Sequence, residues 1–167
     1  MFDKFFPDRY VASTYVIDFE GLYKEGVRGL IFDIDNTLVP HGAPADERAR
    51  ALFKRLKSIG FRCCLISNNQ KPRVEMFNKD IQVDYVYNAH KPSIRNYLKA
   101  MEIMGTDRDS TVFIGDQLFT DVYGANRAGI YGILVKPINP KEEIQIVLKR
   151  YLEKIVLHFY TKEEKNS

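Results

Sequence analysis

The stretch Gly29-Leu30-Ile31-Phe32-Asp33-Ile34-Asp35-Asn36-Thr37-Leu38 decides how this chain folds. Its first four residues carry no charge and read as a strand buried on both faces. Two carboxylates, Asp33 and Asp35, then stand two residues apart. Burying such groups is unfavourable unless they are paired or bind a metal, so the run predicts a strand that ends where a sheet meets solvent. The spacing also suits a division of labour. One carboxylate can attack a phosphorus atom while the other donates and accepts protons beside it.

Working outward, the first strand spans 27–33. Ala45, Ala49, Leu52, Phe53, Leu56 and Ile59 recur at helical spacing, and Gly60 suits the stop. Further strands are expected at 61–67, 84–89, 111–115 and 132–135. Helices are expected at 72–80, at 94–104 before Gly105, and at about 120–128 before Gly129. A long helix is expected from near Pro140. This alternation predicts an α/β architecture: a five-stranded, mostly parallel sheet with helices on both faces, in one domain over 1–167 with its core at about 27–137. Ligands of such sheets bind beyond the carboxyl ends of the strands. The polar motifs fall there: Asp33 and Asp35, then Ser67-Asn68-Asn69, then His90-Lys91, then Asp116 and Asp121.

Four carboxylates at one rim repel each other and call for a counter-charge. A hard divalent cation with oxygen ligands fits, and Mg²⁺ is the usual choice beside phosphate. Lys91 adds a second positive charge. Ser67 adds a hydroxyl, followed by main-chain N–H donors. The set has the parts of a phosphoryl-transfer site: nucleophile, proton carrier, metal and anion clamp.

In their order and spacing these residues resemble the haloacid dehalogenase (HAD) superfamily. Asp33-Ile34-Asp35-Asn36-Thr37 matches its first motif; Ser67, Lys91, and Gly115-Asp116 with Asp121 match the next three. The strings Ser67-Asn68-Asn69, His90-Lys91-Pro92, Gly115-Asp116-Gln117-Leu118, Thr120-Asp121 and Asn126-Arg127-Ala128-Gly129-Ile130 are similar to the YqeG group of class IIIA phosphatases. That group is related to the HAD-type phosphatidylglycerophosphate phosphatases. The resemblance implies a Rossmann-like HAD fold and gives each residue a role. Asp33 would form an aspartyl-phosphate, and Asp35 would serve as acid and then base. Mg²⁺ would be held by Asp33, Asp116 and the Asp35 carbonyl, with Asp121 as ligand or orienter of the metal's waters. Ser67 and Lys91 would bind the phosphoryl group, with Asn68 beside them. Asp35 also separates reaction types, because the superfamily's transport ATPases carry Thr there and its dehalogenases lack the second Asp. A phosphomonoester hydrolase is expected, with a phosphomutase, or a non-catalytic module that binds phosphate and acts through a partner, as the alternatives.

The gaps between Asp35, Ser67 and Lys91 hold one helix each and leave no room for a cap domain. An open site suits a large ester, and phosphatidylglycerophosphate is one candidate. The net charge of +3 is too small to suggest nucleic acid. No apolar run reaches the ~18 residues of a membrane span, and the N-terminus does not read as a signal peptide. Cys63 and Cys64 read as small core residues in a reducing compartment, so a cytoplasmic protein is expected. Two groups stay open. Asn68, Asn69, Gln117, Asn126 and Arg127 read equally as substrate contacts or loop braces, whereas His90, beside Lys91, reads as structural ahead of a substrate contact. The aromatic N-terminus (Phe2, Phe5, Phe6, Tyr10, Tyr15, Phe19) and the apolar stripe Ile144, Val147, Leu148, Tyr151, Leu152, Ile155, Val156 and Phe159 either pack on each other and on the sheet or meet a membrane surface or a second copy of the chain.

Overall fold

The computed structural model describes residues 2–139 and 144–166. Six parallel strands form one sheet: β1 (Arg9–Val11), β2 (Gly29–Phe32), β3 (Arg62–Ile66), β4 (Asp84–Val86), β5 (Thr111–Gly115) and β6 (Tyr131–Val135). Their order is β1-β6-β5-β2-β3-β4, so the decisive strand β2 lies inside the sheet, paired with β3 and β5. The helices are α1 (Phe19–Lys24), α2 (Glu47–Ile59), α3 (Lys71–Asn78), α4 (Arg95–Met104), α5 (Tyr123–Ala128) and α6 (Ile144–Asn166).

The expectation of five strands is corrected to six. The added strand β1 has three residues, two of them exposed, so it leaves no alternation to read. Asp8 fixes it instead. Its N–H donates to the Gly132 carbonyl at 2.9 Å, and its carboxylate accepts from the Gly132 N–H at 2.8 Å. Helix α1 was also not foreseen; its six residues start from an Asp18 cap that accepts from the Gly21 N–H at 3.0 Å.

Alternation along the strands makes two cores. Leu30, Phe32, Leu65, Ile114 and Ile133 face α1, α2 and α3, where Phe19, Leu52, Phe53, Leu56 and Phe77 are buried. Ile31, Cys64, Ile66 and Phe113 face α4 and α5 through Tyr97, Met101, Ala125 and Ala128. Cys63 and Cys64 point to opposite faces, and burial pushes both thiols up to about 12. Helix α2 shows the local logic. Asp46 caps it through the Ala49 N–H at 2.8 Å, its apolar face is buried, and Gly60 ends it at φ 118°. Each large apolar side chain so buried contributes about 1.5–3 kcal/mol.

One loop and α2 connect β2 to β3, and α3 alone connects β3 to β4, so neither gap holds a further folded unit. Helix α6 splits the expected stripe. Val156 packs with Leu118, Val122 and Leu134, and Phe6 meets Tyr160 at a ring separation of 4.9 Å. Leu148, Tyr151, Leu152, Ile155 and Phe159 remain 40–63% exposed. Pro140 and the side chains of Ile144 and Val147 lie outside the described residues.

Candidate active site

The site forms at the carboxyl ends of β2, β3 and β5. The Asp33 N–H donates to the Ile114 carbonyl at 3.0 Å, which carries the β2–β5 ladder one residue past Phe32 and fixes where the carboxylate emerges. The turn behind it depends on Asn36, which adopts φ 61°, a conformation Asn tolerates better than most residues. Its main-chain N–H donates to the Val39 carbonyl at 2.7 Å. Its side-chain oxygen accepts from the Asn139 N–H at 3.1 Å, which ties the turn to the segment after β6.

Lys91 Nζ lies 2.9 Å from Asp33 and 2.6 Å from Asp121, and all three are buried. Lysine is almost never buried without such partners. Burial opposes its charge, but Asp121 and Asp33 more than offset this and hold its pKa above the usual lysine value. Thr37 Oγ1 lies 3.2 Å from Asp116 Oδ1 and 3.5 Å from Asp33 Oδ2, so it bridges the two carboxylates. Gly115 permits the approach of the fourth member: a Cβ there would sit 2.5 Å from Asp121 Oδ2. Asp121 starts no ordinary helix. It lies in a wide π-type turn over Leu118–Val122, its carboxylate accepts from the Gln117 N–H at 3.1 Å, and Tyr97 Oη donates to the main chain behind it.

The electrostatics follow from this crowding. Burial pushes Asp33 well above the usual carboxylate range; Lys91 opposes, and Asp121 and Asp116 reinforce the rise. Asp116 is raised for the same first reason, with Asp121 adding to it and Arg150 opposing. With all three carboxyls ionised, Asp33, Asp116 and Asp121 face two cations, Lys91 and Arg150, and leave one negative charge in excess. Ligand oxygens of Asp33, Asp116 and Asp121 lie within 4.8 Å of one another. Three buried carboxylate oxygens at that spacing, with excess negative charge, fit a hard divalent cation.

Asp35 stands apart from this cluster. Its Oδ1 accepts from the Gly42 N–H at 2.7 Å and from Arg73 Nη2 and Nε at 2.9 and 3.2 Å; its Oδ2 accepts from Asn69 Nδ2 at 2.7 Å. Ser67 is buried at the end of β3, and its Oγ accepts from the Asn69 N–H at 3.0 Å. Asn68 Oδ1 accepts from the Lys91 N–H at 2.8 Å, so this side chain shapes the loop that delivers Lys91. Of the residues left open by the sequence, Asn126 ties the N-terminal segment through the Lys4 and Phe6 carbonyls, and Arg127 donates to the Pro92 carbonyl. Exposed His90 adopts φ 51°.

Three participants, Arg73, Arg150 and Glu153, escaped the sequence reading. Arg73 grips Asp35 together with Asn69, which the sequence had left open. Arg150, from α6, donates to the Asp116 carbonyl at 2.8 Å and to its carboxylate. Glu153, also from α6, is buried beside Arg150, with its Oε1 among no donors of the described residues. Arg73 and Arg150 have no motif signal, since a surface helix carries such residues routinely.

Burial lifts Glu153 to about 7, against the opposing charges of Arg150 and Lys149. The folded value exceeds the unfolded one of about 4.5. Stability is thus unaffected below pH 4.5 and is lost as pH rises from there to about 7. Glu153→Gln removes that loss. Relative to wild type it is expected to gain about 2–3 kcal/mol above pH 7 and nothing near pH 4. Urea unfolding of both proteins across this range measures the difference, and parallel pH curves would contradict it.

The HAD-hydrolase-like family model matches residues 88–137. The probable phosphatase YqeG of Bacillus subtilis is 36% identical over 159 residues, covering 94% of this chain and 92% of that one. The chloroplastic/mitochondrial phosphatidylglycerophosphate phosphatase 1 of Arabidopsis thaliana is 26% identical over 89% of this chain, which spans only 48% of that protein. Among solved structures, the 3-deoxy-D-manno-octulosonate 8-phosphate phosphatase of Moraxella catarrhalis, in complex with magnesium, phosphate and its sugar, superposes with a TM-score of 0.55. That likeness covers 72% of this chain and 76% of the other at 14% identity, and it concerns the fold.

Proposed function

We propose that this chain, which belongs to the HAD family of hydrolases in the group of the YqeG phosphatase, is a Mg²⁺-dependent phosphomonoesterase that works through an aspartyl-phosphate. One observation carries the reading: a buried carboxylate at the end of an interior strand, 2.9 Å from a buried lysine and clustered with two further carboxylates. Asp33 attacks the phosphorus, and the leaving oxygen departs on the opposite side. Lys91, the Ser67 hydroxyl and the Asn68 N–H hold phosphoryl oxygens. Asp35 gives a proton to the leaving oxygen and later takes one from the attacking water, a role contributing about 10²–10⁴-fold. Asp33, Asp116 and the Asp35 carbonyl, with Asp121, would hold Mg²⁺, which when bound neutralises charge building on the phosphoryl group.

Phosphate release from p-nitrophenyl phosphate is expected with Mg²⁺ and not with excess chelator. Ca²⁺ is expected to inhibit, because its looser shell misplaces the nucleophile. Equal rates with and without chelator would remove the metal from the reaction. Transfer of phosphate between two positions of one sugar, without release, would favour a mutase. No turnover of any ester would favour a binding module.

For the substrate we propose a large phosphomonoester, with phosphatidylglycerophosphate as the leading candidate. The Arabidopsis relative bears that activity in its name. The uncapped site leaves room for a bulky leaving group. A cavity of about 350 Å³ beside Asp116, lined by Tyr10, Leu134, Pro137, Arg150 and Leu157, could receive its apolar part. The exposed apolar face of α6, flanked by Lys154 and Lys162, suits an anionic bilayer surface. The protein would then work in the cytoplasm at the membrane face; among the described residues no helix is long and apolar enough to cross a membrane. Vesicle co-sedimentation and phosphate release are to be measured together. No binding, with faster turnover of soluble esters than of phosphatidylglycerophosphate, would defeat the lipid reading alone.

A further inference from the structure

Asp35 is held by three separate parts of the chain. The loop after β2 supplies the Gly42 N–H, the β3–α3 loop supplies Asn69, and α3 supplies Arg73. Every one of these contacts is an N–H donor. The shell therefore receives lone pairs on both carboxylate oxygens, and a base presents lone pairs to water. Arg73 contributes two of the four contacts, through Nε and Nη2 on the same oxygen. It is itself mostly buried, with a side-chain exposure of 13%. Its Nη1 is buried and has no partner among the described residues. An unsatisfied buried donor is uncommon in a native structure. Here it gives the guanidinium a spare N–H, so the grip on Asp35 can change from side-on to end-on without losing a bond.

We propose that Arg73 is the positioning residue for Asp35 in the second half of the reaction, an inference that rests on the aspartyl-phosphate reading above. In that half a water oxygen bonds to the phosphorus on Asp33 while Asp35 takes a proton from the water. The bond between phosphorus and the Asp33 oxygen breaks, its electron pair returns to the carboxylate, and inorganic phosphate leaves. Water is small and mobile, so the base that orients it must be aimed well. In the first half a good leaving group departs without a proton, and the aim of Asp35 matters little. Arg73 should therefore govern the breakdown of the phosphoenzyme and leave its formation from such an ester nearly unchanged.

The test uses rapid mixing of the Mg²⁺-loaded enzyme with p-nitrophenyl phosphate, followed by acid quench and intact mass. Wild type sets the baseline. Arg73→Met is expected to release close to one equivalent of nitrophenolate per site in a burst, then to turn over about 10²-fold more slowly, since a mis-aimed catalytic group costs of that order. Quenched protein should carry the added phosphoryl group. Arg73→Lys restores the charge without the two-pronged grip, so it is expected to recover part of the steady rate and to shrink the trapped fraction. Asn69→Ala removes the only donor to Asp35 Oδ2 among the described contacts, and should show the same signature more weakly. These two variants carry the test if Arg73→Met proves unfolded by circular dichroism. Asp35→Asn is the reference for a base removed outright. If Asp35→Asn traps the phosphoryl group and the Arg73 and Asn69 variants do not, the positioning role is overturned and the covalent mechanism stands. Equal slowing of burst and steady state in Arg73→Met also overturns it. If no variant traps a phosphoryl group, the aspartyl-phosphate reading fails, and this inference with it.

Discussion

Asp33→Asn is expected to abolish turnover, by ~10⁴-fold or more, and at the same time to raise the melting temperature of the metal-free protein at neutral pH. The two effects have one cause. Asp33 is buried among Asp116 and Asp121, and its pKa lies well above the usual carboxylate range because burial penalises its charge. A carboxyl raised in the folded state favours folding at low pH, and that contribution fades as pH climbs past the unfolded value near 3.8. The neutral amide avoids the loss. The stability gain should therefore be present at pH 7–8 and vanish near pH 4. Stabilisation by Mg²⁺, which scales with the logarithm of ligand over Kd, should be lost together with activity. Thermal melts with chelator and with Mg²⁺, beside phosphate release, measure all of this. Mg²⁺-dependent activity surviving in a folded Asp33→Asn protein would take the nucleophile role away from this residue.

Lys91→Met is expected to do the opposite to stability. Its ammonium, with a side-chain exposure of 4%, is shared by Asp33 and Asp121. Removing one partner from a buried ion pair typically costs about 3–5 kcal/mol, because the remaining charges stay uncompensated. For a chain of this size that corresponds to a fall of roughly 10 °C in Tm. The sign of the pH dependence is fixed as well. The folded lysine is raised above its unfolded value of 10.5, so its contribution is complete at every pH below that and erodes only in stronger base. The loss in Lys91→Met should thus gain no pH dependence from the lysine itself between pH 7 and 9. It should shrink in acid as Asp33 takes up a proton. Turnover should fall with it, since Lys91 also holds the phosphoryl group. A variant that melts like wild type would mean that the three carboxylates tolerate each other without this cation, and the charge argument for a metal would weaken with it.

The two variants show what was readable in the chain and what was not. Asp33, Ser67, Lys91 and Asp116 announce themselves because each follows a strand, and β2, β3 and β5 are short, largely buried runs bounded by clear polar or glycine positions. The short edge strand β1 does not, because its pairing depends on the contact between Asp8 and Gly132, more than a hundred residues apart in sequence. The acid cluster could be anticipated from the convergence of parallel strand ends. Its bracing could not: Arg73 and Arg150 look like ordinary charged positions on surface helices until the fold brings them to Asp35 and Asp116. The π-type turn at Asp121 was equally hidden, since the sequence reads as the start of a normal helix. The apolar stripe on the last helix was visible, yet its division into a packed edge and an open face depends on where the N-terminal aromatics settle.

The all-parallel sheet has a further consequence for anyone who handles the protein. Asp33, Ser67, Lys91 and Asp116 all follow strands at one end of the sheet, while the helix-to-strand returns at Gly60, Gly105 and Gly129 lie at the other. A five-residue strand separates the two ends by roughly 16 Å. The return between α4 and β5, around Thr106–Arg108, is thus a natural place for a fluorophore or a surface tether. A reporter fixed there would watch the molecule from its inert end, leaving the acid cluster free to meet its ester.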